Sequence, residues 1–143
     1  MTNCVVDASI VARWFIGDPE DSTVAAARGV LGQYKSGDLQ LHAPELMPVE
    51  VANAFWKEVR FAGWSAIRAR DALGELLRLE MSLHTHHSLL PKGLQLALTH
   101  GISLYDASYA ALANALELPL WTLDRKLARA LAGAIDIRVP AVA

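Results

Sequence analysis

Short apolar runs rich in branched residues alternate along this chain with longer helical stretches, and that alternation restricts the fold more than any other feature of the sequence. Cys4 to Asp7 reads as a first strand, apolar and β-branched, as expected for a strand buried on both faces. Ser9 to Ile16 reads as a helix ended by Gly17-Asp18-Pro19. Asp21 to Tyr34 reads as a second helix with Asp21 or Ser22 as its cap, and the pair is expected to form a helical hairpin. Leu39 to His42 is a second strand, and a helix from Pro48 to Ala62 follows, its start marked by prolines. Gly63 breaks it, and Ser65 caps another helix to Leu79. Met81 to His84 is a weak third strand. Ser88 to His100 is a helix closed by Gly101, and Leu104 to Glu117 is an alanine-rich one. Leu118 to Leu123 is a strong strand, Asp124 to Ala132 a short helix and Ile135 to Val139 a final strand. Strands alternating with helices mean an α/β fold, a central parallel sheet with helices on both faces.

At 143 residues the chain fits one domain, residues 1–143, and is long enough to bury a real core. It shows no repeats and no linker. A net charge of −2 argues neither for nor against a nucleic-acid partner, so the distribution of charge matters more than its sum. Cys4 is the only cysteine, which rules out an intrachain disulfide and suits a reducing cytoplasm. Asp7 interrupts the first apolar run long before it could serve as a signal peptide, and no stretch of about 18 apolar residues exists to span a membrane. The expected location is therefore cytoplasmic.

Four carboxylates stand where an apolar segment meets a helix: Asp7 in Val-Val-Asp-Ala-Ser, Glu50 in Pro-Val-Glu-Val-Ala-Asn, Asp106 in Leu-Tyr-Asp-Ala-Ser, and Asp124 in Trp-Thr-Leu-Asp. Each alone is equally well a helix cap or a first-turn acid. Together they say more, because the carboxyl ends of the strands in an open parallel sheet face one crevice. Four carboxylates gathered there repel, and cannot all stay ionised unless cations neutralise them. Hard oxygen ligands without Cys or His nearby suit Mg²⁺ or Mn²⁺ rather than zinc.

Neighbouring residues fit the same picture. Glu50, Asn53, Lys57 and Arg60 are spaced by three or four on one helix, a polar stripe that runs from acid to base. That order suits a phosphate backbone lying across the site, although a solvated face has the same pattern. Arg13, Arg125, Lys126 and Arg129 flank the other acids and could extend a basic rim. Ser9 and Thr122 each lie two residues from an acid and could hold a carboxylate by hydrogen bond. A hydroxyl between Trp121 and Leu123 needs a buried partner. His84, His86 and His87 read as a polar loop.

These motifs resemble those of PIN-domain ribonucleases, and more narrowly the VapC toxins of toxin–antitoxin pairs, over essentially the whole chain. Val-Val-Asp-Ala-Ser, Pro-Val-Glu-Val-Ala-Asn-Ala, Leu-Tyr-Asp-Ala-Ser-Tyr-Ala-Ala-Leu-Ala and Trp-Thr-Leu-Asp-Arg-Lys-Leu match the family's four acidic motifs in order. The resemblance implies a PIN-like sandwich of helices around a parallel sheet and a divalent-metal-dependent endoribonuclease. Asp7, Glu50, Asp106 and Asp124 are then the catalytic acids that hold Mg²⁺ or Mn²⁺, supported by Ser9, Asn53 and Thr122. Arg13, Lys57, Arg60 and Arg125 are then RNA-binding. It further implies a homodimer neutralised by a small VapB-like antitoxin, for which Trp14 and Phe15 are candidate groove residues. A nuclease of RNA maturation, or a non-toxic RNA- or metal-binding module, is the alternative. A receiver domain needs adjacent acids after the first strand, where this chain has Val6-Asp7-Ala8, and a haloacid-dehalogenase-type phosphatase needs an acid where Ser9 stands.

Overall fold

The computed structural model describes residues 1–141. Its strands are β1 (Thr2–Val6), β2 (Leu39–Pro44), β3 (Ser82–His84), β4 (Leu120–Trp121) and β5 (Ile137–Arg138). Its helices are α1 (Ala8–Ala12), α2 (Ser22–Lys35), α3 (Met47–Phe61), α4 (Ala66–Arg78), α5 (Leu90–His100), α6 (Leu104–Leu116) and α7 (Arg125–Leu131). All strand pairs are parallel, in the order β3-β2-β1-β4-β5. The α/β expectation holds, down to the weak third strand at the sheet's edge.

The order has a consequence for function. The sheet grows from β1 through β2 to β3 on one side, and then resumes on the other side with β4 and β5. Growth reverses between β1 and β4, and the crevice outside the carboxyl ends of those two strands is where such sheets bind ligands. Asp7 follows β1 directly, and Asp124 follows β4 by three residues. Helices that connect parallel strands run back against them, so α3 after β2 and α6 before β4 both start at this same edge. Glu50 and Asp106 lie in the first turns of those two helices.

The core is built around β1 and α6. Val5, Val6 and Cys4 are fully buried, and α6 buries every residue from Ala107 to Ala113. A helix enclosed that closely needs small side chains, which explains its alanines. Its neighbour α5 comes near enough that a Cβ on Gly93 would lie 3.2 Å from Leu104 Cδ1. Gly101 ends α5 in a left-handed conformation (φ 66°), as the sequence suggests. Among the described residues no helix is long and apolar enough to cross a membrane.

Three local expectations change. The first helix stops at Ala12, and residues 13–15 continue as tight turns with bonds three residues back, because Trp14 turns inward and donates its Nε1 hydrogen to Ala27 O at 2.8 Å. The helical hairpin does not form: α1 packs on α3, and α2 is reached through Trp14 and through Arg28, which donates to the carbonyls of Arg13 and Gly17. The strand expected over Leu118 to Leu123 shortens to Leu120–Trp121, because Pro119 has no N–H and the Thr122 side chain is drawn into the crevice.

Candidate active site and metal centre

Asp7 caps the sheet's central strand, and its carboxyl is almost entirely enclosed, at 5% exposure. Its backbone still belongs to the sheet, donating to Trp121 O at 2.9 Å, so the side chain emerges at the rim between β1 and β4. Two hydroxyls donate to Asp7 Oδ2, Ser9 Oγ at 2.6 Å and Thr122 Oγ1 at 2.8 Å. They lie 3.2 Å apart, and each also accepts a backbone N–H, Ser9 from Leu123 and Thr122 from Asp124. Thr122 has no exposed surface. The partner its hydroxyl needed is therefore Asp7, and one network ties the end of β1 to the end of β4 across the switch point.

The other acids approach from the helices. Glu50 is half-buried in the first turn of α3, and Tyr109, one turn along α6 from Asp106, donates its hydroxyl to Glu50 Oε1 at 2.8 Å. Asp106 sits in the first turn of α6, whose cap Ser103 accepts from the Asp106 N–H at 3.1 Å. Asp124 Oδ1 accepts from Leu127 N at 3.0 Å, so this acid is the helix cap that a lone residue suggested, and it faces the crevice as well.

Three of the acids, Asp7, Glu50 and Asp106, are raised by burial first and by neighbouring carboxylates second, and the charge of Asp124 acts on Asp7 and Asp106. Burial holds the Asp7 carboxyl above the usual range; the Ser9 and Thr122 hydrogen bonds pull it down, and the charge of Asp124 pushes it up. Glu50 is raised by burial and by the charges of Asp7 and Asp106, with Tyr109 opposing. Asp106 is raised by burial and by the charges of Asp7 and Asp124. The Tyr109 hydroxyl is pushed far up by burial and the acids around it, so it stays a donor. Among the described residues, no three Asp, Glu, His or Cys side chains close around a single ion-sized point. The carboxylates share a field without forming a finished coordination shell. An all-oxygen, mutually repelling set of this kind suits a hard divalent cation, whose charge would relieve the repulsion raising these acids.

The proposed accessory residues separate. Asn53 is exposed one turn beyond Glu50, and Lys57 and Arg60 continue outward along the exposed face of α3. Arg13 spends its guanidinium on its own helix, donating to Ser9 O at 2.8 Å. Arg125 lines a hollow with Ser22, Thr23 and Leu123 that contains none of the four acids. The histidine loop resolves into separate contacts: His84 meets His42 at 3.0 Å, His42 meets Asn3 Oδ1 at 3.0 Å, and His86 meets Glu45 at 3.1 Å. Tyr109 was missed in the sequence, although its place three residues after Asp106 put it on the same helical face. Lys126, one of the expected rim cations, lines the hollow that contains Asp106 and Asp124, and so does His100, which no motif in the sequence marks.

The family model described as "PIN domain" matches residues 4–132. The chain is 37% identical over 126 residues to Ribonuclease VapC3 of Pyrobaculum aerophilum, covering 87% of this chain and 91% of that one. The crystal structure of PAE2754 from Pyrobaculum aerophilum superposes with a TM-score of 0.67 at 30% identity, covering 94% of this chain and 83% of that one. A chain of a toxin–antitoxin complex from Klebsiella pneumoniae shares the fold, with a TM-score of 0.65 at 18% identity and coverage of 98% and 99%.

Proposed function

The chain belongs to the PIN domain family, and we propose that it is a metal-dependent endoribonuclease, the toxin of a toxin–antitoxin pair, with Asp7, Glu50, Asp106 and Asp124 as its catalytic acids. The observation that carries this assignment is the gathering of four acids at the sheet's switch point, Asp7 after β1, Asp124 after β4, and Glu50 and Asp106 in the first turns of α3 and α6, where burial and neighbouring charge raise Asp7, Glu50 and Asp106. Kinship with a ribonuclease over most of both chains supports it.

The four acids would hold Mg²⁺ or Mn²⁺. When bound, such an ion supplies an activated water and neutralises charge on the phosphodiester. The protein's part is positional. Ser9 and Thr122 lock Asp7 in one rotamer, Tyr109 does the same for Glu50, and the burial of Asp7 keeps bulk water away from its carboxylate. Lys57 and Arg60 on α3, with Asn53 between them and Glu50, form the outer track for an RNA backbone. Arg13 and Arg125 contribute less, the first held on a carbonyl and the second lining another hollow.

A small antitoxin is the expected partner, in line with the fold shared with a toxin–antitoxin complex. Trp14 and Phe15 do not form its groove. Trp14 is buried, and Phe15 packs edge-on against Phe55 at 5.3 Å between ring centroids. The exposed apolar surface lies instead between α3 and α4, a cleft of about 280 Å³ lined by Phe55, Trp56, Val59 and Leu73, with Trp56 56% exposed. Leu94 and Leu98, one turn apart and exposed on α5, offer a face to a second copy in a homodimer. The chain acts as one domain in the cytoplasm, where RNA and antitoxin are both at hand.

The test is cleavage of a labelled structured RNA by purified protein. We expect cutting with Mg²⁺ or Mn²⁺, none with excess EDTA, and a loss of at least a hundredfold in Asp7→Asn with the fold intact. Equal cleavage in EDTA would overturn the metal requirement, and full activity in Asp7→Asn would move the site elsewhere.

A further inference from the structure

Beside the acids opens a hollow of about 380 Å³, walled by His100 and Ile102 at the turn from α5 to α6, by Asp106, and by Asp124, Lys126 and Leu127 at the start of α7. We infer that this hollow seats the RNA nucleotide adjoining the scissile phosphodiester, with Lys126 on its phosphate and His100 against its base. The inference rests on the endoribonuclease reading and names the residues that would meet the substrate beside the phosphodiester to be cut.

Three observations support it. The first is the division of charge within one cavity. Asp106 and Asp124, two of the four acids, form part of its wall, while Lys126 supplies a cation that, among the described residues, makes no ion pair within 4 Å. An isolated phosphate has no use for both walls. A nucleic-acid strand does, because its successive phosphates present one anion to the acid cluster with its metal and the next to a lysine.

The second is the remaining lining. Ile102, Leu127 and Ala130 give the cavity an apolar floor, and His100 brings a half-buried imidazole to its edge, held at the end of α5 by the left-handed turn of Gly101. A mainly polar lining with apolar side chains, one ring and one cation among it is a set that accepts an unstacked base and its sugar-phosphate. The volume falls within the range of about 300–1,000 Å³ common to small-ligand pockets.

The third is the placement of the other cations. Arg13 is held by Ser9 O, Arg125 lines a different hollow, and Lys57 and Arg60 lie on the exposed face of α3. Lys126 is the cation that shares a cavity with two of the acids. A pocket read by His100 at this point selects one nucleotide beside the cut, and so makes the hollow a determinant of cleavage-site choice.

The experiment measures binding of a fluorescent single-stranded RNA in Mg²⁺, by anisotropy, on the non-cleaving Asp7→Asn protein and its second-site variants. Adding Lys126→Gln should weaken binding about tenfold and make the salt dependence shallower by about 0.7, the share of one single-strand phosphate contact. Adding His100→Ala should weaken binding to a similar degree with the salt slope unchanged, since a base contact releases no counterion. Lys35→Gln, at the opposite edge of the sheet, removes the same charge and should do neither. Parent-like binding by both pocket variants overturns the inference, and so does an equal loss in Lys35→Gln. RNA binding that depends on Lys126 and His100 in a protein whose wild type cuts no RNA would leave the subsite standing and refute the nuclease reading alone.

Discussion

Thr122→Val keeps the outline of a fully buried side chain and removes the hydroxyl that joins Asp7 to the chain leaving β4. Three contacts go with it: the donation to Asp7 Oδ2 at 2.8 Å, the acceptance from Asp124 N at 3.0 Å, and the approach of Ser9 Oγ at 3.2 Å. A hydrogen bond to a charged group contributes about 1.5–3 kcal/mol, and an orphaned, partly buried N–H adds roughly 1 kcal/mol. The buried methyl returns part of this, leaving a net loss of about 2–3 kcal/mol. For a chain of 143 residues the unfolding entropy is about 0.3 kcal/mol/K, so metal-free protein at about pH 8 should melt roughly 7–10 °C lower by scanning calorimetry. Because the hydroxyl favours the ionised carboxyl of Asp7, the loss should shrink as the buffer is taken towards pH 4 and Asp7 gains its proton. Thr122→Ser, which keeps the hydroxyl, should fall by only about 1 kcal/mol. A valine variant that melts within 2 °C of wild type at pH 8, or that loses no more than the serine variant, would refute the network as the support of Asp7.

Burial and shared charge raise Asp7, Glu50 and Asp106, so the folded protein holds protons that the unfolded chain releases at about pH 4. The contribution of these three acids to metal-free stability is therefore greatest below that pH and declines as pH rises through the raised values, opposite in sign to that of the lowered Asp21 and Asp136, and denaturant midpoints at a series of pH values should show the decline relative to a variant with Asp7, Glu50 and Asp106 replaced by their amides. A wild-type midpoint that climbs from pH 4 to neutrality as steeply as that of the amide variant would contradict it. Tyr109→Phe removes the donor that holds Glu50 down, so it should cost about 1 kcal/mol of stability and move the acid limb of the pH–activity profile upward. An unmoved limb would make Tyr109 a packing residue only. Lys57→Ala and Arg60→Ala should each weaken RNA binding and reduce its salt slope by about 0.7; an unchanged slope returns that face of α3 to plain solvation.

Most of the fold was legible because its signals are local. β1 reads as a buried strand from Cys4, Val5 and Val6, α2 and α4 carry their caps in Asp21 and Ser65, and Gly101 announces the end of α5. The misreadings arise where tertiary contact overrides pattern. Nothing in the periodicity of residues 9–16 says that Trp14 will bond a carbonyl on α2, and although Thr122 reads as a hydroxyl in need of a buried partner, nothing in Leu118 to Leu123 says that this partner is Asp7, across the sheet's switch point. The acids were legible for a different reason. Each sits at a strand-to-helix boundary, and a parallel sheet turns such boundaries into neighbours. Tyr109 and His100 carry no such signal, since their roles depend on how α3, α5, α6 and α7 meet, and no spacing within one element encodes that.

Whether the carboxylates converge is read from the melting temperature of wild type and Asp106→Asn, each with and without Mg²⁺ at neutral pH. Asparagine keeps the volume and removes one charge from a half-buried position where burial and the fields of Asp7 and Asp124 disfavour it. It also forfeits an acid in the first turn of α6, a loss of about 0.3–1 kcal/mol that the relief of repulsion and burial must exceed. The account predicts that the variant melts higher than wild type without metal and gains less from Mg²⁺, since a ligand that binds only the folded state stabilises it according to its affinity. A variant that melts lower without metal and gains as much as wild type with it would reduce Asp106 to a helix-start residue and contradict the shared site.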